Sequence, residues 1–346
     1  MIARMKHIMR YLLVALIALP FASCEHKDLC YHHPHTVKIK VNFDWQYAPE
    51  ANPEGMCLFF YPEGGGECRR FDLSNTGGEI EINVGKYHVI TYNNDTDGVE
   101  FIGTSGFDSH TLCTREGGIF ESVFGRTEYS KAPRAEGTED ERVVITPDMM
   151  WGCTAQYVEI SDAGTEFEHE VIDSSMKGPQ LVIDSEDEYE FTFYPEELMC
   201  LYSYEVRNVK NLKYYTRLCA ALSSMSGTLK PATRELGTEY VTLPLESNEK
   251  DGNMIVGEFF TFGHHPELDR HHNFHMYLWD TNGDGYCRII DVTDQVHNAP
   301  NPRRVHIVID GENMNLPEPI TNGGGFNAEV DDWDVINSDI YMGTNN

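Results

Sequence analysis

Apolar and polar residues alternate strictly along several short stretches of the chain. Val37–Trp45 has an apolar side chain at every second position, and Ile80–Val84 repeats the pattern. A period of two places alternate side chains on opposite faces of a β-strand, so each stretch predicts a half-buried strand. Met56–Tyr61 is a short apolar run that ends at a Pro- and Gly-rich turn, which also predicts a strand.

A second series of strand-like segments extends from Glu190 to Ile309, with turn residues between the segments. Only Leu212–Met225 fits a helix as well as a strand, because its length suits a helix and its aromatic and β-branched residues suit a strand. The pattern predicts an all-β protein of two tandem antiparallel β-sandwiches with few short helices. A turn-rich stretch near residue 177 indicates a boundary between an N-terminal domain, 36–176, and a C-terminal domain, 177–346.

The tail at residues 323–346 has strand-capable alternation of its own. The alternation covers residues 326–342, after a stiff Pro-rich spacer and the flexible Gly323–Gly325. An unpaired strand of this kind is an aggregation hazard, so we expect it to be paired. It either folds back as an edge strand of its own domain or adds to the sheet of a partner protein. The side chains expected to take part are Phe326, Val330, Trp333, Ile336 and Ile340.

The N-terminus has the pattern of a bacterial export signal. A basic head precedes the apolar run Tyr11–Leu19, and two small residues lead directly into Cys24. We predict a signal peptide at residues 1–23, lipidation of Cys24, and a polar tether at residues 24–35. The protein would then be an outer-membrane lipoprotein at the cell surface, held to the bilayer by its acylated N-terminus. The alternative is a plain secretory signal followed by a chance cysteine.

Charge and cysteine content narrow the class of protein. The 346 residues carry a formal net charge of -30, and such a surface repels phosphate backbones, so we expect no nucleic-acid partner. Nine cysteines in an exported chain permit disulfides. Most of them occupy apolar, strand-like contexts without C-x-x-C spacing, so we expect mostly free, buried thiols.

One acidic loop has the spacing of a calcium site. Asp280, Asn282, Asp284 and Asp291 fit positions one, three, five and twelve of an EF-hand loop. The same residues also fit the turn of a β-hairpin, because Asn-Gly-Asp-Gly lies between two strand-like segments. The hairpin is the favoured interpretation, so we expect no cofactor, with calcium as the alternative.

Histidines are concentrated in two places, and such density is compatible with a surface zinc or copper site. The alternative is a polar loop without a metal. The histidines concerned are His264, His265, His271, His272 and His275, with a second group at His32, His33 and His35.

Nucleophile-elbow, zinc-protease and phosphate-loop motifs do not occur in the sequence. We therefore expect a protein that is not an enzyme, and we list no catalytic residue.

The order of these features resembles the fimbrillin-like lipoproteins of Bacteroidales. The resemblance rests on Cys24 and its tether, the first strand at Val37–Trp45, the triplet Thr146–Asp148, and the stretch from Gly323 to Trp333. It implies two tandem transthyretin-like sandwiches of Greek-key type and a role as a subunit, tip or anchor of a pilus, with assembly by strand exchange.

Family members that polymerise are trimmed by an Arg-directed protease after the first strand. Here the first arginine after that strand is Arg69, well inside the first domain, and the candidate expected to be exposed, Arg134, lies in a long loop at residues 104–140. This departure favours a chain that keeps its lipid: a fimbrial anchor or accessory subunit that contacts other fimbrial subunits. The alternative function is a surface lipoprotein that binds a glycan or another host ligand.

Overall fold

The computed structural model describes residues 36–120, 132–160, 180–181, 189–266, 270–318 and 333–338. The predicted all-β class with few short helices is confirmed. Within the described ranges, no helix is both long enough and apolar enough to cross a membrane. The predicted signal peptide, Cys24 and the tether lie outside the described residues.

Twenty-two strands and three short helices are described. The strands of the first half are β1 (Thr36–Phe43), β2 (Gly55–Pro62), β3 (Arg69–Ser74), β4 (Gly77–Asn83), β5 (Gly85–Asn93), β6 (Val99–Ile102), β7 (Thr111–Thr114), β8 (Arg142–Val143), β9 (Trp151–Ile160), β10 (Gln180–Leu181), β11 (Tyr189–Phe193) and β12 (Glu196–Glu197). The remaining strands are β13 (Cys200–Arg207), β14 (Tyr215–Ser226), β15 (Thr228–Leu229), β16 (Tyr240–Glu246), β17 (Asn248–Lys250), β18 (Met254–Thr261), β19 (Asn273–Asp280), β20 (Gly285–Asp291), β21 (Arg304–Asp310) and β22 (Trp333–Ser338). The helices are the 3₁₀ turns Leu212–Tyr214 and Gly311–Met314 and the α-helix α1 (Thr293–His297).

Nine strands form the largest sheet, in the order β10-β11-β1-β4-β3-β2-β5-β9-β12. All its neighbours are antiparallel except β1 and β11, which run parallel. One hydrophobic core draws its buried residues from this sheet alone, with Val41 on β1 and Cys153 on β9 among them. In a flat sheet these two strands would lie about 24 Å apart. The sheet therefore curls until its own inner face is closed.

Strands β2 and β5 are buried on both faces. Phe59 and Tyr92 point away from the curled core and pack with Leu112 of β7 and Leu229 of β15. Strands β15, β7 and β6 form a three-stranded sheet over this face. Two-sided burial explains why Met56–Tyr61 is a continuous apolar run rather than an alternating one.

A four-stranded sheet, β17-β18-β13-β21, packs on a six-stranded sheet, β22-β20-β19-β14-β16-β8. Their shared core includes Tyr204 and Ile307 from the smaller sheet and Leu222 and Phe274 from the larger one. Leu212–Met225, which suited either a helix or a strand, consists of a 3₁₀ turn followed by strand β14. The β-branched and aromatic residues fit a strand because they can pack on both faces of the sheet.

The outer face of the six-stranded sheet is covered by chain from the first half. Ile119, Phe120 and Ala135 pack there on Tyr277 and Trp279. Residues 104–120 and 132–140, predicted as a long loop, include strand β7 and a buried part of this cover.

The predicted division at residues 176 and 177 remains a prediction, and strand pairing crosses it. Strands β10 to β12 complete the first sheet, whereas β8 pairs with β16. Residues 161–179 lie outside the described part.

Glu141 links the covering segment to the six-stranded sheet by hydrogen bonds. Its buried carboxylate accepts hydrogen bonds from the Ser224 backbone N–H at 3.0 Å and the Thr242 hydroxyl at 2.9 Å.

Arg134 donates to the backbone carbonyls of Glu139 and Glu141, and its side chain is only 12% exposed. The expectation that Arg134 is exposed is therefore wrong, because its guanidinium is held among these acceptors.

His275 makes a second contact with the cover. Its Nε2 accepts the backbone N–H of Ala135 at 2.9 Å, and the side chain is fully buried beside Tyr277. Burial, together with the positive charge of Arg134, lowers the pKa of His275 to about 4. The imidazole is neutral at neutral pH, as an acceptor of this hydrogen bond must be.

We predict an acid-sensitive stability from His275. Its pKa is lower in the folded state than in the unfolded state, so the unfolded chain takes up the proton first, and the free energy of unfolding falls as the pH drops from about 6.5 to about 4. Between pH 7 and pH 5, the free energy of unfolding should fall by about 2 kcal/mol less in His275→Gln than in wild type, as measured by urea denaturation. The exposed His306→Gln is the control, and an identical pH slope in wild type and His275→Gln would contradict the prediction.

Candidate functional site: the edge of the six-stranded sheet

Strand β22 pairs in parallel with β20, from Trp333 beside Gly285 to Ser338 beside Ile290. Among the described strands it is the last of its sheet, so one side of its backbone is an unpaired edge. Of the two pairings that the tail pattern left open, the structure has the intramolecular one. Ile336 is half-buried on this strand, whereas Phe326, Val330 and Ile340 lie outside the described residues.

A buried arginine on β20 holds the strand in place. Arg288 is 1% exposed, and its Nη1 donates to the backbone carbonyl of Asp334 on β22 at 2.8 Å. Its Nε donates to the carbonyl of Met314 at 2.5 Å, just beyond β21. The Asp334 carboxylate lies 3.6 Å from Nη2, which has no hydrogen-bond partner. One guanidinium therefore joins three segments of chain.

Trp333 supplies the apolar half of the attachment. Its ring stacks on Phe120 with centroids 5.5 Å apart and meets Tyr277 and Trp279 edge-on at 5.7 and 5.3 Å. Aromatic pairs in such geometries each contribute about 0.5–1.5 kcal/mol beyond the area they bury. The covering segment and β22 thus share one aromatic cluster on the outer face of the sheet.

The rest of β22 is open to solvent. Val335 is 42% exposed, and Asp334 and Asn337 are exposed as well. An edge strand with a free backbone and one exposed apolar side chain is the kind of surface to which another strand can be added.

The pairing of the two neighbouring strands shows the β-hairpin, the favoured interpretation of this loop, and not the arrangement of the EF-hand alternative. Strands β19 and β20 form a hairpin in which Trp279 lies beside Gly285 and Asn273 beside Asp291. Asp291 is therefore about 20 Å along the hairpin from the turn. The buried Asp280 uses its Oδ1 to accept the backbone N–H groups of Asn282 and Asp284, at 2.8 and 3.0 Å. The carboxylate shapes a turn, and Asp291 is not brought to it.

Asp291 has a different role. Its carboxylate accepts from the Thr293 backbone N–H at 2.9 Å and contacts His271 at 2.6 Å, so it fixes the start of helix α1. Among the described residues, no group of three or more His, Cys, Asp or Glu side chains is placed so that it could hold a metal ion.

All seven cysteines in the described ranges are free, and six are buried, which agrees with the expectation of free, buried thiols. Burial raises the pKa of Cys57, Cys153 and Cys287 to about 12, so these thiols are protonated and unreactive at neutral pH.

A hollow on the first sheet is the second surface of interest. Phe101 stacks on Tyr92 at 4.8 Å, Tyr92 stacks on Phe59 at 5.6 Å, and the guanidinium of Arg70 lies 5.5 Å above Phe59. Asn94 adds a polar group to the same wall. Phe101 is the partly exposed ring of this stack, and an aromatic side chain beside a few polar groups is typical of small-ligand sites.

A family model described as "Domain of unknown function (DUF5119)" matches residues 23–246. The chain belongs to the DUF5119 family. The match ends at the last residue of β16, so strands β17–β22 of this DUF5119 protein lie beyond it.

A curated relative and two solved structures carry fimbrial or adhesin names. "Putative fimbrium anchoring subunit Fim4B" of Bacteroides ovatus is 29% identical over 146 residues, which are 41% of this chain and 39% of that protein. The DUF5119 chain thus aligns with about two fifths of that relative's length. A "putative adhesin" from Bacteroides ovatus superposes with a TM-score of 0.54 and 19% identity, covering 80% of this chain and 93% of that one, and shows a shared fold. The fimbrial anchor protein Mfa2 of Porphyromonas gingivalis reaches a TM-score of 0.44 at 14% identity, covering 79% and 91% of the two chains.

The resemblance to fimbrillin-like proteins of Bacteroidales, inferred from the sequence, is confirmed by these matches. Two structural contacts of the DUF5119 protein were not predicted. Arg288 was not singled out, although a lone arginine between Cys287 and Ile289 in an apolar strand is a signal of a buried charge. Asp148, in the Thr146–Asp148 triplet, accepts from the backbone N–H groups of Asp97 and Gly98 and shapes that loop.

We predict that Arg288 is required to hold β22. Arg288→Met keeps a similar apolar length but leaves the carbonyls of Met314 and Asp334 without their donor, which should lower the free energy of unfolding by about 2–4 kcal/mol. The measurement is urea denaturation. The control is Arg304→Met, which removes a more exposed guanidinium on β21. It should change the free energy of unfolding by less than about 0.5 kcal/mol. Equal stability of Arg288→Met and wild type would contradict the role assigned to Arg288.

Proposed function

We propose that this chain is a non-enzymatic cell-surface lipoprotein that serves as an anchor or accessory subunit of a fimbria. Family membership and the fimbrial name of the curated relative support the proposal. The observation that carries it is β22, an edge strand from the end of the chain whose backbone is unpaired on one side among the described strands. Other fimbrial subunits are the proposed partners, and the outer-membrane bilayer is the proposed support.

The attachment to the partner would use strand addition. A partner strand laid against β22 gains main-chain hydrogen bonds, and its alternate side chains meet Val335 and its neighbours. The surface used is the outer edge of β22 in the six-stranded sheet.

We expect Cys24 to carry the lipid. Cys24→Ala should move the protein from the membrane fraction to the soluble fraction and abolish labelling by a palmitate analogue, because acyl chains are the proposed anchor. The measurement is fractionation with metabolic labelling of cells. Cys30→Ala, in the same tether, is the control and should leave both readouts unchanged. Retained labelling in Cys24→Ala would contradict the proposed lipid site.

We expect removal of residues 323–346 to abolish recruitment of fimbrial subunits. The measurement is crosslinking on intact cells followed by pull-down and identification of the attached proteins. A charge placed on the exposed edge, Val335→Lys, should weaken recruitment while leaving the melting temperature within a few degrees of wild type, because edge lysines oppose strand addition. Glu249→Lys, on the exposed β17, is the matched control.

Unchanged recruitment in both variants would contradict the use of this edge.

The aromatic hollow beside Arg70 favours the second candidate function, binding of a surface glycan or host ligand. Tight binding on a glycan array that Phe101→Ala abolishes, together with no fimbrial partner in the pull-down, would favour that function instead.

A further inference from the structure

Three histidines far apart in the sequence meet at one end of the second core. His264 follows β18, His272 precedes β19, and His297 is the last residue of α1. Their ring centroids are 5.0 to 5.5 Å apart in all three pairs. His264 and His272 are buried, whereas His297 is partly exposed, so the cluster has one side towards solvent.

The Nδ1 atoms of the two buried rings are held by neighbouring strands. His264 Nδ1 lies 2.6 Å from the hydroxyl of Tyr202, and His272 Nδ1 lies 3.2 Å from the backbone carbonyl of Ser223. This is the pattern of metal-ligating histidines, whose second ring nitrogen is fixed by a polar group of the outer shell. It leaves the Nε2 atom of each of these rings as the nitrogen available to a metal ion.

The Nε2 atoms are the unusual feature. His264 Nε2 is buried without a hydrogen-bond partner, which is costly for a polar ring atom. His272 Nε2 and His297 Nε2 face each other at 3.1 Å. Zn–N bonds of about 2.0–2.1 Å at tetrahedral angles place two ligand nitrogens about 3.4 Å apart. The pair is thus close to the spacing of two ligands on one ion.

We propose that His264, His272 and His297 bind a divalent transition-metal ion of the zinc type. The three rings are not yet gathered at coordination distances, and the site closes by a shift of the His297 side chain at the exposed end of α1. Neutral imidazoles are ligands for ions of this class, and three of them leave a fourth position for water. Ca²⁺ and Mg²⁺ prefer oxygen ligands, so they are not the proposed ions.

Neighbouring polar residues have other partners. Asp291 is engaged by Thr293 and His271, and His265 Nε2 lies 2.7 Å from the backbone carbonyl of Gly237. The three-histidine set therefore does not depend on either group. Bound metal would join the end of β18, the start of β19 and helix α1, which are otherwise joined by the Val292 N–H bond to the His272 carbonyl and by side-chain contacts.

The test is metal binding to the mature chain purified without a polyhistidine tag. Isothermal titration with Zn²⁺, and Co²⁺ absorption as a report of four-coordinate nitrogen ligation, should show one site in wild type. His297→Gln should weaken binding at least tenfold, since loss of an outer-shell partner alone costs roughly 10- to 100-fold. Tyr202→Phe should weaken it by roughly tenfold for that same reason. His306→Gln, an exposed histidine on β21, is the matched control.

The tether histidines need their own control, a chain in which His32, His33 and His35 are replaced by Asn. Binding that persists in this chain and is lost in His297→Gln supports the proposal. Binding that is lost only with the tether histidines, equal binding in wild type and His297→Gln, or no binding by wild type would each overturn it. His297→Gln is expected to keep the wild-type circular dichroism spectrum, because its side chain is partly exposed at a helix end.

Discussion

A guanidinium buried inside a β-sheet protein needs an acceptor for each donor, and Arg288 meets most of that need with backbone carbonyls. Burying a charge costs several kcal/mol, and removing the acceptors would leave that cost uncompensated. The position of β22 and of the segment around Met314 follows from this requirement. The tail strand is thus attached by a polar constraint at Asp334 and by an apolar one at Trp333, on opposite faces of the same sheet.

The second constraint is that central strands are buried on both faces. The first sheet curls over its own core and is covered outside by β6, β7 and β15, while the six-stranded sheet is covered outside by Ile119, Phe120 and Ala135. Each half of the chain therefore depends on the other for part of its cover. Glu141 and His275 fix that cover by accepting backbone N–H groups, at Ser224 and Ala135 respectively.

Much of the fold was predictable because strand periodicity is local. The alternation at Val37–Trp45 correctly placed Ile39, Val41 and Phe43 in the core. Pairing between distant strands was not predictable, since the parallel contact of β1 with β11 depends on how the sheet closes. The calcium alternative has a similar limit, because residue spacing alone cannot distinguish a wrapped loop from a hairpin. The hairpin, which was the favoured interpretation, carries Asp291 away from Asp280.

Only part of the candidate site could be predicted from the sequence. The tail pattern identified a strand around Trp333 and Ile336, but the choice between its own sheet and a partner's depends on Arg288 and the aromatic cluster, which form only in three dimensions. The burial of Arg134 could not be predicted from its sequence context either. It lies in a polar loop by sequence, and acceptors from distant residues bury it.

The tail strand belongs to the six-stranded sheet of its own chain, in parallel register with β20. Hydrogen–deuterium exchange of a purified chain of residues 24–346, resolved for residues 333–338, is the most direct test of this pairing. We expect slow exchange at the β22 amides that bond to β20, with protection approaching that of β20 itself. Exchange of all these amides at the rate of an unstructured peptide would show that β22 is not paired with β20.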